Sequence, residues 1–139
     1  MVPPFPSTDA ATVAQQFDDW RQAGEMLYLV IADLATDAYL GEASLAIGDH
    51  GVGEVGCGVA ERARGRGIAT EALSLLAAWS FAVLGLGRLQ MFVLTSNIAA
   101  QRLAERTGFR PEGTLRAYWE HDGARLDTLL LSLLPEDLA

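Results

Sequence analysis

The 139-residue sequence contains no lysine and only one cysteine, Cys57. A single thiol excludes an intramolecular disulfide, and a lone cysteine in an apolar run is more often a small core residue than a nucleophile. No apolar run reaches the roughly 18 to 20 residues that a membrane-spanning helix needs, and the N-terminus lacks a basic segment followed by an apolar stretch. These absences predict a cytoplasmic protein with no membrane partner.

Positive charge is also scarce, and it is concentrated in one part of the chain. The formal net charge is −8, all ten basic residues are arginines, and most of them fall between Arg62 and Arg110. Because affinity for nucleic acid needs many basic side chains along one face, this balance predicts no nucleic-acid partner. A basic island on an acidic protein suits one polyanionic ligand and a cationic partner elsewhere; solvated helix-face arginines are the alternative interpretation.

The pattern of apolar residues predicts one domain spanning residues 1–139, with a mixed α/β (α+β) fold. Apolar residues at helical or alternating spacing predict helices over 8–23, 67–84 and 97–106, and strands over 26–32, 39–47, 54–59, 88–95, 109–120 and 124–134. The dipeptide Asp122-Gly123 is a strong signal for a hairpin between the last two strands. Glycines interrupt the strand at 54–59, which indicates either a β-bulge or a ligand that approaches the backbone closely.

Residues 59–72 read VAERARGRGIATEA, a strand that leads through a loop rich in glycine and arginine directly into a helix. The first N–H groups of a helix lack intrahelical partners and carry the positive end of its dipole, so they can bind a phosphate. Gly65 and Gly67 let an anion approach the backbone, and Arg64 and Arg66 can add charge-assisted hydrogen bonds. The segment therefore predicts an anion site, with a merely flexible turn as the alternative.

Several motifs of this chain resemble those of the GNAT superfamily of N-acetyltransferases, and in particular its RimJ/RimL-like branch. The residues RGRGIA at 64–69 resemble the pyrophosphate loop R/Q-x-x-G-x-G/A, and GIATEA at 67–72 is similar to the start of the following helix in that branch. Segments at 86–89, 97–109 and 112–127 continue the resemblance, which covers about residues 27–134. Each motif alone is weak, but their common order and spacing are specific.

The resemblance implies a mostly antiparallel twisted sheet of about six strands, flanked by helices, and acetyl-CoA as the acyl-donor cosubstrate, with no metal. Members of the family usually begin with a strand and a helix before the segment that matches residues 8–23. We therefore expect the first strand to be missing, unless the given start is truncated. An uncovered sheet edge can pair with another chain, so a homodimer is possible.

The resemblance also assigns coenzyme contacts. Strand 54–59 should pair through its backbone with the pantetheine arm, and the amides of 65–70 should bind the pyrophosphate. The expected coenzyme-binding residues are Cys57, Val59, Ala60, Arg64, Gly65, Arg66, Gly67, Ile68, Ala69, Thr70, Asn97, Ala100 and Arg102. Two of these have alternative interpretations, since Asn97 is also a good N-cap and Arg102 can equally be an exposed charge.

The chemistry of the family is attack of a neutral amine on the thioester carbonyl, which needs a proton acceptor and often a donor for the leaving thiolate. Ala100 stands where family members often carry a serine donor. Glu54 and Glu120 are candidate bases and Tyr118 is a candidate thiolate donor, although each is also explained as a strand-end or packing residue. Proximity of the two bound substrates can itself supply much of the acceleration.

The sequence thus predicts an acetyl-CoA-dependent N-acetyltransferase that acts on a primary amine, either a protein N-terminus or a small molecule. A catalytically inactive acyl-CoA-binding regulatory module is one alternative. A structural α/β domain whose arginines are incidental is another.

Overall fold

The computed structural model describes residues 26–138, and the helix predicted over 8–23 and the question of an earlier strand lie outside this range. The described chain forms one six-stranded sheet with two α-helices. Its elements are β1 (Met26–Ala32), β2 (Tyr39–Ile47), β3 (Val52–Val59), α1 (Ile68–Ala82), β4 (Arg88–Leu94), α2 (Ile98–Thr107), β5 (Arg110–His121) and β6 (Ala124–Leu133). The predicted mixed fold is confirmed.

The strands are arranged in the order β1-β2-β3-β4-β6-β5, and β3 and β4 form the only parallel pair among the described strands. The predicted mostly antiparallel sheet of about six strands is therefore confirmed. Asp122 and Gly123 connect β5 to β6, and both have positive φ angles (50° and 78°), as a tight two-residue hairpin requires. The single parallel pair lies in the middle of the sheet, where β3 and β4 are connected through α1.

The predicted β-bulge in β3 is wrong. Its register with β2 runs without a shift from Gly41 opposite Val59 to Ile47 opposite Gly53. Packing explains the glycine at position 53 instead. A Cβ there would lie within 2.9 Å of leucine side chains on β2, on β4 and in the turn before β4. The alternative interpretation, close approach of a ligand to the backbone, concerns Gly56 and Gly58 near the other end of the strand.

The core lies between the sheet and the helices and consists mainly of leucine side chains, with alanine, valine, methionine and phenylalanine filling the rest. The side of α1 that faces the sheet carries Leu73, Leu76 and Ala77, each at most 3% exposed. Ser80 is also fully buried there, and its hydroxyl donates to the carbonyl of Leu76 at 2.7 Å, which satisfies its polar group. Burial of each large apolar side chain contributes about 2 kcal/mol, so α1 is held firmly against the sheet.

Neither of the two α-helices between residues 26 and 138 is long and apolar enough to cross a membrane.

Candidate functional site

The two parallel strands pair only where they begin. Val52, Gly53 and Glu54 lie opposite Arg88, Leu89 and Gln90, and the two strands share no further register positions. Since β2 stays paired with β3 as far as Val59, the other edge of residues 55–59 has no strand partner within the described chain. Such an edge presents N–H and C=O groups that an extended ligand can pair with.

Beyond β3 the chain forms what we term the anion loop, residues 60–70. Gly65 and Gly67 have φ angles of 78° and 73°, in the left-handed region that favours glycine. A Cβ at either position would meet nothing within 4 Å, so packing does not require these glycines. They allow the positive φ angles and leave open space beside the backbone. The loop therefore turns sharply without being covered by other described segments.

Gly67 is the N-cap of α1 and offers no side chain to cap it. Glu71 is the first residue of α1 whose backbone N–H has a helical hydrogen-bond partner, because it donates to Gly67 O at 3.0 Å. The N–H groups of residues 68–70 are thus the unpaired donors that every helix start carries, at the positive end of the helix dipole. Residues 68–70 line the same cavity as the two glycines, and a helix start of this kind can bind a phosphate.

The second helix begins beside the same space. Asn97 follows β4 and precedes α2, and its Oδ1 accepts a hydrogen bond from the backbone N–H of Ala100 at 3.1 Å. The predicted N-cap is confirmed. A contact between Asn97 and a coenzyme is compatible with this cap and stays a prediction.

One cavity of about 1020 Å³ connects the free edge of β3, the anion loop and α2. Except for Arg66 and Arg102, all of the predicted coenzyme-binding residues line it. These lining residues are Cys57, Val59, Ala60, Arg64, Gly65, Gly67, Ile68, Ala69, Thr70, Asn97 and Ala100. Residues that are far apart in sequence are thereby brought to one surface, although their individual roles remain predictions.

Arg64 in the cavity wall and Arg62 beside it donate to backbone carbonyls. Arg64 donates from Nε to Val59 O at 3.3 Å, and Arg62 donates to the carbonyl of Tyr39. On α2, the cavity is lined by Arg106, one turn beyond the predicted Arg102. Both arginines of α2 are exposed, but only Arg106 forms part of the wall.

The cavity also contains residues that sequence reasoning missed. The lining side chains of β1 and β2 that carry polar groups are Tyr28, Tyr39, Glu42 and Ser44. These strands contain no recognisable motif, and only the alternation along β2 indicates that Glu42 and Ser44 share a face. The remaining unpredicted wall residues are Ala43, Gly56, Gly58, Ala63, Ala99, Leu103 and Arg106.

Two ionisable groups of the wall have shifted pKa values. Burial raises the pKa of the Cys57 thiol, which keeps it protonated and makes it a poor nucleophile. Desolvation raises the pKa of Tyr39 as well, and the nearby Glu42 carboxylate adds to this effect. Arg62 acts in the opposite direction on the pKa of Tyr39.

None of the three predicted catalytic residues lines the cavity. Glu54 is exposed on β3, with its Cα opposite Ala46 of β2. Tyr118 stacks on the ring of Phe92, with centroids 5.5 Å apart. Glu120 lies on β5, where its Oε2 is 3.7 Å from Nη1 of Arg125.

Within residues 26–138, no group of three or more His, Cys, Asp or Glu side chains is arranged to hold a metal ion.

Comparison with known proteins gives a consistent result. Residues 1–110 match the family model of the acetyltransferase (GNAT) domain. Over 85 residues the chain is 34% identical to the uncharacterized N-acetyltransferase YoaA of Bacillus subtilis strain 168, an alignment that covers 61% of this chain and 48% of YoaA. The chain thus spans about half the length of that relative.

Solved structures share the fold. RimJ of Mycobacterium smegmatis, in complex with CoA-disulfide, superposes with a TM-score of 0.77 at 27% identity, over 98% of this chain and 70% of that protein. The F149A mutant of the spermidine N-acetyltransferase SpeG from Vibrio cholerae gives a TM-score of 0.77 at 23% identity, over 96% of this chain and 79% of the mutant. The likeness to SpeG concerns the fold alone.

Proposed function

Because this chain belongs to the GNAT acetyltransferase family, we propose that it transfers an acetyl group from acetyl-CoA to a primary amine. The observation that carries this proposal is that one cavity joins the unpaired edge of β3 to the anion loop. A coenzyme with an amide-containing arm and a diphosphate needs a strand-like partner for the arm and a cluster of N–H donors for the phosphates. Both are present here, and they follow each other along the chain.

In this proposal, the free edge of residues 55–59 pairs with the pantetheine arm. The amides of residues 65–70 bind the diphosphate, and Arg64 and Arg66 add positive charge at the loop. The openness around Gly65 and Gly67 supports the fit, because a Cβ at either position would occupy space next to the amides. Asn97 and Ala100 lie at the start of α2, within reach of the same cavity wall.

The proposed reaction is a direct transfer. The amine nitrogen forms a bond to the thioester carbonyl carbon, the C–S bond breaks, and the thiolate takes up a proton. Since an ammonium has no lone pair, one proton must leave the acceptor before attack. Glu54 and Glu120 as bases and Tyr118 as thiolate donor stay proposals, and none of the three is among the residues that line the cavity.

Finer assignments are also proposals. Membership of the RimJ/RimL-like branch is supported by the motifs at 67–72 and 97–109 and by the likeness to RimJ of Mycobacterium smegmatis. A cytoplasmic location is supported by the single cysteine, which needs no oxidising compartment. A homodimer would use an open sheet edge, and β1 and β5 are the edge strands of the described sheet.

The proposal is tested by two measurements on the same preparation. Calorimetric titration with coenzyme A should show saturable binding, and release of free thiol from acetyl-CoA should increase when an amine is added. The amine panel should include spermidine, an alanine-initiated tripeptide and aniline, with an amine-free blank that accounts for Cys57. Coenzyme binding without amine-dependent thiol release would identify an acyl-CoA-binding module, and absence of binding would overturn the proposed acetyl transfer.

A further inference from the structure

The end of the cavity away from the anion loop is formed by one face of the sheet. In the register of the strands, Tyr28 lies beside Ser44, which lies beside Gly56, and in the next row Glu42 lies beside Gly58. Directly paired residues project to the same face of a sheet, so these five residues form one surface. We call this surface the acceptor trough.

The trough is open on its β3 side because that side consists of glycines. A Cβ at Gly58 would meet nothing within 4 Å, and one at Gly56 would meet only the hydroxyl of Ser44, at 3.0 Å. The row that contains Glu42 therefore ends in free space beside the edge of β3. All five trough residues line the cavity, so the trough opens into the same space as the anion loop.

Glu42 is the one carboxylate among the described residues that line this cavity. It is exposed, and no arginine of residues 26–138 forms an ion pair with it. The lining arginines, Arg64 and Arg106, belong instead to the loop and to α2. Among the residues that line it, the cavity thus has arginines at one end and a single carboxylate at the other. Arg62, outside the lining, donates to the backbone carbonyl of Tyr39 near that carboxylate.

Aromatic side chains accompany this carboxylate. Tyr28 and Tyr39 line the cavity and keep 52% and 44% of their surface exposed. A tyrosine ring face attracts a cation within about 6 Å, and this attraction adds to that of a nearby carboxylate. The combination of one carboxylate and two half-exposed tyrosines favours a ligand with an ammonium group.

We propose that Glu42 binds the ammonium group of the acceptor and accepts its proton, an inference that rests on the acetyl transfer proposed above. Glu42 takes one proton from the ammonium, which frees the lone pair of the nitrogen. The nitrogen then bonds to the thioester carbonyl carbon, the C–S bond breaks, and the thiolate leaves with the second amine proton. Glu42 finally returns its proton to solvent, and the acceptor class is therefore an aliphatic amine that is protonated at neutral pH.

Glu54 is the rival for this role. It lies on the same face of the sheet, since its register partner Ala46 is two residues beyond Ser44 on β2. It does not line the cavity, however, and it lies two residues before Gly56, further from the anion loop along β3. The position of the two carboxylates relative to the cavity therefore favours Glu42.

The test compares Glu42→Gln, Glu54→Gln and the wild-type chain at pH 7. With spermidine or the alanine-initiated tripeptide as acceptor, we expect Glu42→Gln to lower kcat/KM by about 10²-fold or more, as loss of a general base does. The loss for Glu54→Gln should be much smaller. Glu105→Gln, a change at an exposed glutamate of α2 outside the cavity wall, is the matched control and should behave as the wild type.

Acetylation of aniline distinguishes a role of Glu42 as proton acceptor from a merely structural role. Its nitrogen is uncharged at pH 7, so its acetylation needs no proton acceptor before attack, and Glu42→Gln should retain the wild-type rate with it. Coenzyme A affinity of Glu42→Gln should also be unchanged. An equal loss with aniline, an unaffected kcat/KM with the aliphatic amines, or a larger loss for Glu54→Gln would overturn the assignment of Glu42. If the wild-type chain acetylates none of the three amines, the proposed function fails first, and the role of Glu42 fails with it.

Discussion

The two ends of the cavity are built in different ways. The anion loop offers mainly backbone N–H groups, whose positions are determined by the left-handed Gly65 and Gly67 and by the start of α1. The acceptor trough offers side chains, and Glu42 and Tyr28 reach it only because three strands are in register. A backbone site requires particular residues in a row and therefore leaves a motif, whereas a site assembled across strands leaves none. The proposed donor site could therefore be predicted from the sequence, and the proposed acceptor site could not.

The largest effect that tests this contrast is expected at the anion loop. Gly67→Val should weaken coenzyme A binding by about 100-fold or more, because the new side chain occupies the open space beside the helix amides and disturbs their orientation. Gly85→Val is a matched control, since Gly85 also has a positive φ (68°) and open space around it but lies outside the cavity wall. Calorimetry with both variants measures the difference.

Both valines strain the backbone, so each variant should lose about 1 to 2 kcal/mol of unfolding free energy in urea titrations. Only the variant at the loop should lose coenzyme affinity. Similar affinity losses in the two folded variants would mean that strain alone explains the effect, and the loop would then not be the phosphate site.

A smaller effect distinguishes the two arginines of α2. Arg106 lines the cavity and Arg102 does not, although only Arg102 was expected from the sequence. Replacement of Arg106 by alanine should weaken coenzyme binding by about tenfold, the contribution of one charge-assisted contact, and Arg102→Ala should have the smaller effect. The difference should shrink in high salt, where exposed charges are screened. The reverse order of the two affinities would contradict the orientation of α2.

Some of these features could be predicted from the sequence and others could not. The strands and helices were predicted close to their observed bounds, because the period of the apolar residues decides them. The choice between Arg102 and Arg106 was out of reach, because the two lie one helical turn apart and only the docking of α2 on the sheet selects between them. Glu42 was missed for a related reason, since it becomes part of the site only through the register of β2 with β1 and β3.

The catalytic predictions on β5 show a further limit. The register of β5 with β6 shifts between Leu115 and Trp119, and Ala117 has a positive φ of 54°. This irregularity is held by contacts with β6, where the N–H of Ala117 donates to Asp127 Oδ1 at 2.7 Å and its carbonyl accepts from Arg125 Nε at 2.8 Å. Simple alternation cannot predict such a shift, so it gave no guide to the surroundings of Tyr118.

An ion pair outside the cavity offers a variant that should change the stability of the chain without changing its affinity for the coenzyme. Arg88 on β4 donates to both carboxylate oxygens of Glu112 on β5, at 2.7 and 3.0 Å, and Ser132 of β6 donates to the same carboxylate. Glu112→Gln should lower the unfolding free energy by about 0.5 to 1 kcal/mol, a value reduced for the partial exposure of the pair. Coenzyme affinity should not change, since none of the three residues lines the cavity.

The pH dependence of this loss follows from the pKa of Glu112. The hydrogen bonds from Arg88 and Ser132 lower that pKa from 4.5 to about 2 in the folded chain. A lowered folded-state pKa adds stability above pH 4.5 that is lost as the pH falls towards 2. The difference in unfolding free energy between the wild-type chain and Glu112→Gln, measured in urea titrations, should therefore be constant above about pH 5. It should disappear between pH 4.5 and 2. If the difference in unfolding free energy increased on acidification, this ion pair could not be its cause.

The smallest expected effect concerns Cys57, which lies between the two ends of the cavity wall on β3. Because burial raises the pKa of its thiol above the usual value of 9.0, iodoacetamide should label it slowly at pH 7 and faster as the pH rises through 9. Saturating coenzyme A should slow this labelling severalfold, while spermidine, directed to the opposite face of β3, should protect it less. Mass spectrometry of the intact chain gives both rates. Equal protection by the two ligands would show that the donor and acceptor ends are not separate, and the contrast between them would have to be abandoned.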